Sequence, residues 1–276
     1  CEYVDQIPTA YWLNLSDDVL LRKRAGTITG IPQVLLNYVP VSRGPWRLRA
    51  LIDREGHALT SRFIAIRSLR GEYPLGFFWA IMNSPIANAF AYCHLGKRDN
   101  LVSTIRETPI PQADSKAVAQ IERAARNYLA AVSQQNLLKP PIAPDAARDL
   151  MLRLDAEILR LYQFPPRLER ELLDLFAGWP RVGVPFRFDR YYPPHFTDCL
   201  PLQDLIAITQ DWITTNRRRD ELIEKKIART ITPDERKELT RLQELADLRV
   251  RLVAPLHSGE TERAMELSDE ASRWSG

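Results

Sequence analysis

Ile81-Met82-Asn83-Ser84-Pro85-Ile86-Ala87 is the stretch that decides how the first half of the chain is built. It lies within an apolar run, residues 75–92, whose composition predicts helix. Pro85 cannot sit in the middle of one continuous helix, because it removes a backbone donor and its ring collides with the preceding turn. Two helices are therefore expected. Ser84 can cap the second through its hydroxyl, and Pro85 suits the first helical position, where its missing N–H has no intrahelical partner to lose. Asn83, Ser84, Pro85 and Asn88 would also be costly in lipid, so the run predicts two helices of a soluble chain and no membrane partner.

Upstream of this pair, residues 33–39 and 62–66 are short β-branched or aromatic runs bounded by Pro and Gly, and they predict strands. Residues 48–52 and 57–60 flank Asp53-Arg54-Glu55-Gly56, where Asp at the first and Gly at the last turn position predict a hairpin. Downstream the strand pattern fades. Residues 118–132 carry apolar groups at helical spacing, Lys139-Pro140-Pro141-Ile142-Ala143-Pro144 reads as a stiff linker, and helices resume at 145–162 and 168–176. The aromatic, proline-flanked segment 184–194 is expected to leave the helical state and pack across a neighbour. A single helix is expected from 202 to about 228. A second starts at Thr232-Pro233-Asp234-Glu235, with a Thr cap, Pro at the first position and Glu at the third. The expected class is α+β: a small mixed sheet in residues 1–112, a helical connector in 113–198, and an antiparallel helical hairpin with a tail in 199–276.

Composition narrows function less than it narrows fold. With 276 residues and 45% hydrophobic content the chain can bury one large core or two or three modest ones. A formal charge of +3 does not by itself announce a polyanion partner. Cys1, Cys93 and Cys199 are odd in number and widely spaced, which favours a reducing, cytoplasmic setting over disulfides or zinc. The N-terminus lacks the pattern of a signal peptide, and Cys1 in place of Met makes a longer parent protein an expectation.

The positive charge is local. Arg43, Arg47, Arg49, Arg62, Arg67 and Arg70 fall within 28 positions, interleaved with Trp46 and followed by Lys97 and Arg98. Residues 1–112 hold 13 Lys and Arg against 9 Asp and Glu. Arginine's planar fork can bond guanine edges or phosphates bidentately, and Ser42-Arg43-Gly44-Pro45-Trp46-Arg47 has the composition of a contact loop. Charge alone leaves open whether these arginines bind DNA or decorate a small sheet.

Residues 77–91, with their Asn-Ser-Pro-Ile-Ala centre, resemble the leucine-leucine-asparagine-serine-proline-leucine-alanine helix of target-recognition domains in type I restriction specificity subunits and related adenine-N6 DNA methyltransferases. Gly96-Lys97-Arg98-Asp99-Asn100 is similar to the family's short basic segment, Pro109-Ile110-Pro111 to its exit strand, and the helix from Ser115 to the long helix that follows. Pro32-Gln33-Val34-Leu35 resembles its first strand. The likeness covers residues 30–135, extends to the helix from Leu154-Asp155-Ala156-Glu157-Ile158 to Tyr162, and stops near Pro201. It implies sequence-specific recognition of double-stranded DNA, with Arg43, Trp46, Arg47, Arg49, Arg62, Arg67, Lys97 and Arg98 as contact candidates. It also implies that S-adenosylmethionine and base flipping belong to a methyltransferase catalytic domain, upstream or on a partner chain.

The chain itself offers no expected catalytic centre, cofactor site or metal site. The family's Asp/Asn-Pro-Pro-aromatic tetrapeptide is missing: Phe164-Pro165-Pro166-Arg167 and Tyr192-Pro193-Pro194-His195 lack both of its polar and aromatic ends. Asp53, Glu55 and His57 could line one strand face, but Gly56 turns the chain there. Asp220, Glu224 and Lys226 echo nuclease residues yet sit in a helix where charged faces are routine. Two further readings stay open: the C-terminal part of a complete adenine methyltransferase or type IIG restriction enzyme, and a helical scaffold or antitoxin-like module that binds a protein through residues 202–252.

Overall fold

A computed structural model describes residues 14–16, 18–19, 25–68, 73–95, 99–133 and 142–253. The chain divides into two compact units, Cys1–Leu202 and Gln203–Gly276. The first half of the expected linker, residues 139–141, lies outside the described residues, as does the tail beyond 253.

The first unit is α+β, as expected. Strands β1 (Gln33–Asn37), β2 (Ala50–Asp53) and β3 (Phe63–Ile66) form a sheet in the order β2-β1-β3. β1 runs antiparallel to both neighbours, so the sheet is antiparallel where a mixed one was expected. The hairpin expected across Asp53 and Gly56 is also absent: β2 pairs with β1, and residues 57–60 form no strand. The cause is the Asp53 carboxylate. It accepts from the N–H groups of Gly56 (3.0 Å) and His57 (2.7 Å), closing a turn where the ladder would have continued. Gly56 adopts φ +70° there and accepts the Gly30 N–H through its carbonyl at 2.8 Å.

The proline break falls at the expected position. Helix α1 (Leu75–Asn83) ends at Ser84, which is extended at φ −71° and ψ 160°, as a residue before proline prefers. Helix α2 (Pro85–Leu95) begins with Pro85 and is capped by Ser84, whose Oγ accepts the Ala87 N–H at 3.3 Å. Short α3 (Val102–Arg106) follows. Pro109-Ile110-Pro111, the expected exit strand, forms none: two prolines leave the segment without the donors a ladder needs, and Ile110 is exposed.

Helix α4 (Ser115–Val132) is capped by Asp114, and α5 (Pro144–Tyr162) packs antiparallel to it, with Arg160 near its end donating to Gln120 near the start of α4. α1 lies between this pair and the sheet, burying Phe77, Trp79, Ile81 and Met82; Trp79 stacks on Tyr128 of α4. A boundary at residue 112 therefore runs through one core. Helix α6 (Pro166–Asp174) leads into the aromatic segment, which is irregular and packed as expected, with Phe188, Tyr191 and Tyr192 buried.

In the second unit, the helix expected from 202 to 228 is two, α7 (Leu202–Thr209) and α8 (Trp212–Ile227). The N–H groups of Gln210 and Asp211 converge on one carbonyl, that of Ile206, which ends the first helix. Helix α9 (Pro233–Leu252) starts with the expected reciprocal cap between Thr232 and Glu235. α8 and α9 form the antiparallel hairpin, joined by Arg218–Glu238 and Lys225–Glu235 ion pairs around buried Leu222 and Leu239. Among the described residues, no helix is long and apolar enough to cross a membrane.

Candidate nucleic-acid interface

Asn37, the last residue of β1, organises one end of the sheet. Its Oδ1 accepts the Arg49 N–H at 2.6 Å, and its Nδ2 donates to the carbonyls of Arg47 (2.9 Å) and Val39 (2.7 Å). The next residue, Tyr38, donates its N–H to the Arg62 carbonyl at 2.9 Å and accepts the Asn100 N–H at 2.8 Å. Asn100 Nδ2 donates to the Asn37 carbonyl at 3.0 Å. Three segments remote in sequence, carrying Arg49, Arg62 and Asn100, thus meet at one dipeptide.

Arg43 belongs to the loop that leaves this dipeptide. Ser42 Oγ donates to the Trp46 carbonyl at 2.6 Å and accepts the Gly44 N–H at 3.2 Å, closing a turn around Arg43. Arg43 and Arg62 are exposed and Arg49 is half-buried. The fixed loop backbone limits the conformational entropy given up when these side chains meet a ligand.

Arg67 sits at the opposite end of the sheet. Its Nε donates to Gln33 Oε1 at 2.9 Å, and Gln33 Nε2 donates to Asp53 Oδ2 at 2.7 Å, so it completes a cross-strand polar row. His57 Nδ1 lies 2.8 Å from Asp53 Oδ1, and its Nε2 lies 3.3 Å from Glu55. Burial alone would raise the Asp53 pKa, but hydrogen bonds from Gln33, His57 and Gly56 outweigh it and hold the carboxylate below its ordinary value. Among the described residues, no group of three or more His, Cys, Asp or Glu side chains could hold a metal ion.

Two of the expected contact residues are interior. Trp46, 1% exposed, lies 4.2 Å from the Phe176 ring and 4.4 Å from the Arg181 guanidinium. Arg47 is equally buried, and burial lowers its pKa against the opposing influence of Tyr92 and Asp99. Asn88 explains both placements. Its Oδ1 accepts the N–H groups of Arg47 and Leu48, each at 2.8 Å, and this draws the segment beneath α2. Asn83 does the same one step along, exchanging two hydrogen bonds with the backbone of Ala50 at 2.8 and 3.1 Å. The two asparagines of the proline-broken helix pair thus take the place of a neighbouring strand along residues 47–50, at the start of β2.

A buried ion pair secures this arrangement from behind. Arg181 forks onto Asp155 of α5, donates to the Asn83 carbonyl at 2.7 Å and covers the Trp46 ring; Tyr191 Oη donates to Asp155 at 2.8 Å. Asn37, Asn88, Asn100, Asp155 and Arg181 all hold the backbone around this sheet, and none was among the expected site residues. Asn88 stands four residues beyond Ser84, and an amide in the first turns of an otherwise apolar helix is the signal that could have found it. Nothing local marks Arg181. Lys97, Arg98 and Arg70 lie outside the described residues. Asp220 and Glu224 share the exposed side of α8, where Asp220 accepts from Asn216 and Arg219.

No family model, curated protein or solved structure matches the chain.

Proposed function

We propose that the first unit recognises double-stranded DNA in a sequence-specific manner, as the target-recognition part of an adenine-N6 methylation or restriction-modification system. The reading rests on one observation: the sheet end at Asn37 and Tyr38 holds the backbones of Arg49 and Arg62, and the loop that leaves it carries exposed Arg43 in a turn closed by Ser42. Guanidinium groups held on a rigid base can bond phosphates or guanine edges in a fixed register. The likeness of residues 30–135 to target-recognition domains points the same way. Methyl transfer then falls to a catalytic domain, fused or on a separate chain, that binds S-adenosylmethionine and flips the adenine.

Equilibrium binding of the full chain to a mixed-sequence duplex, followed across salt concentration, tests this. Binding should weaken steeply as salt rises, and the logarithmic slope should fall by about one for each phosphate that R43Q or R62Q no longer neutralises. An absence of binding at low salt contradicts direct DNA recognition. The second unit carries a separate proposal: Ile213 and Ile227, each 77% exposed on α8, favour a protein partner for the hairpin. Its test is whether I213E/I227E abolishes association with the catalytic partner while leaving DNA binding intact.

A further inference from the structure

The loop that carries Arg43 does not end the surface. Trp179, 43% exposed, lies directly against it: a methyl group added at Gly44 would stand 2.3 Å from Cε3 of the indole. Trp179 belongs to the turn after α6, far along the chain. That turn is pinned to the aromatic segment by two backbone bonds, Gly178 N–H to the Asp189 carbonyl and Arg181 N–H to the Phe188 carbonyl, each 2.8 Å. It is pinned to the interior by Phe176 and Arg181, which enclose Trp46 between them. Arg187 and Arg190 flank the two bonded carbonyls, and both are exposed.

Trp179 offers a large apolar face next to the loop that carries Arg43, a combination suited to packing against a nucleic acid. Neighbouring groups lead from Arg43 through Gly44, Trp179 and Gly178 to Asp189 and Arg190. Arg190 pairs with its exposed neighbour Asp189 at 3.6 Å, an interaction too weak and too screened to compete with a phosphate. We infer that the DNA-binding surface is composite. The segment 178–190 forms its second part, with Arg187 and Arg190 on backbone phosphates and Trp179 packed against the duplex next to the Arg43 loop. This rests on the DNA reading given above and extends it to a segment beyond residues 30–135, which carry the likeness to target-recognition domains.

The duplex titration separates the two ideas. Arg187 and Arg190 are exposed, so R187Q/R190Q should melt like the wild type. It should weaken binding to a mixed-sequence duplex and reduce the logarithmic salt slope by about two. W179F and W179A, checked by the same melt, should lower affinity at every salt concentration and leave the slope unchanged, because an apolar contact releases no counterions. A wild-type slope in R187Q/R190Q, with R43Q and R62Q still impaired, overturns the composite surface and leaves DNA recognition standing. Wild-type affinity in both tryptophan variants removes Trp179 from the surface. If the unaltered chain binds no duplex, both proposals fall together.

Discussion

Asn88 shows how a single side chain can set the course of a loop. One carbonyl oxygen satisfies two buried N–H groups, and its own amide donates to the Ser84 carbonyl at 3.0 Å. Asn88→Ala orphans both N–H groups, at about 1–3 kcal/mol each. Chemical denaturation should register a loss of several kcal/mol, whereas Arg43→Gln, on the surface, should leave the midpoint unchanged. Asp53 gives a second prediction, in pH. Its folded pKa lies below the unfolded one, so it stabilises the fold fully above the ordinary value of about 3.9 and loses that contribution as pH falls through the lower folded value. The denaturation midpoint should therefore drop below about pH 4 in the wild type, and Asp53→Asn should flatten that limb. An unchanged acid limb in the variant would mean that the carboxylate is not held down by its hydrogen bonds.

At the scale of the element, the helix termini are the most legible part of the sequence. Ser84-Pro85 and Thr232-Pro233-Asp234-Glu235 act through bonds to residues three or four away, so sequence spacing contains all the information they need. Thr232→Ala should lower the stability of the hairpin by about 1 kcal/mol, measured as the melt of α8–α9 helicity. The elements that depart from expectation do so for different reasons, some local and some through partners distant in sequence. Residues 57–60 have the composition of a strand, but the Asp53 carboxylate closes the turn before them. Pro109-Ile110-Pro111 carries a family likeness but no donors for a ladder. The break at Gln210-Asp211 has no Pro or Gly to mark it. Trp46 and Arg47 have the composition of contact residues, and only the long-range bonds from Asn88 draw their segment inward. Gly56→Ala tests the turn itself: with φ at +70° and the Ile31 backbone within 2.4 Å of an added Cβ, it should cost more than about 1 kcal/mol.

At the scale of the molecule, the first unit is one body built from two stretches that composition separates. The Arg181–Asp155 pair, buried at 1% side-chain exposure on both members, joins the turn after α6 to α5 and to the Asn83 carbonyl. Arg181→Met leaves Asp155 charged and uncompensated, and the expected loss of about 3–5 kcal/mol should appear as unfolding of sheet and helices together. Separate transitions would show that the two stretches fold independently. Of the eight residues that the resemblance nominated, Arg43, Arg49 and Arg62 share one sheet end, and the central claim is that this end reads DNA. Selection of bound duplexes from a randomised pool by the full chain tests it most directly. One short motif containing an adenine should be enriched, with Arg43→Gln or Arg62→Gln relaxing the choice at a single position wherever the side chain reads a base. Recovery of unenriched, random duplexes would contradict it.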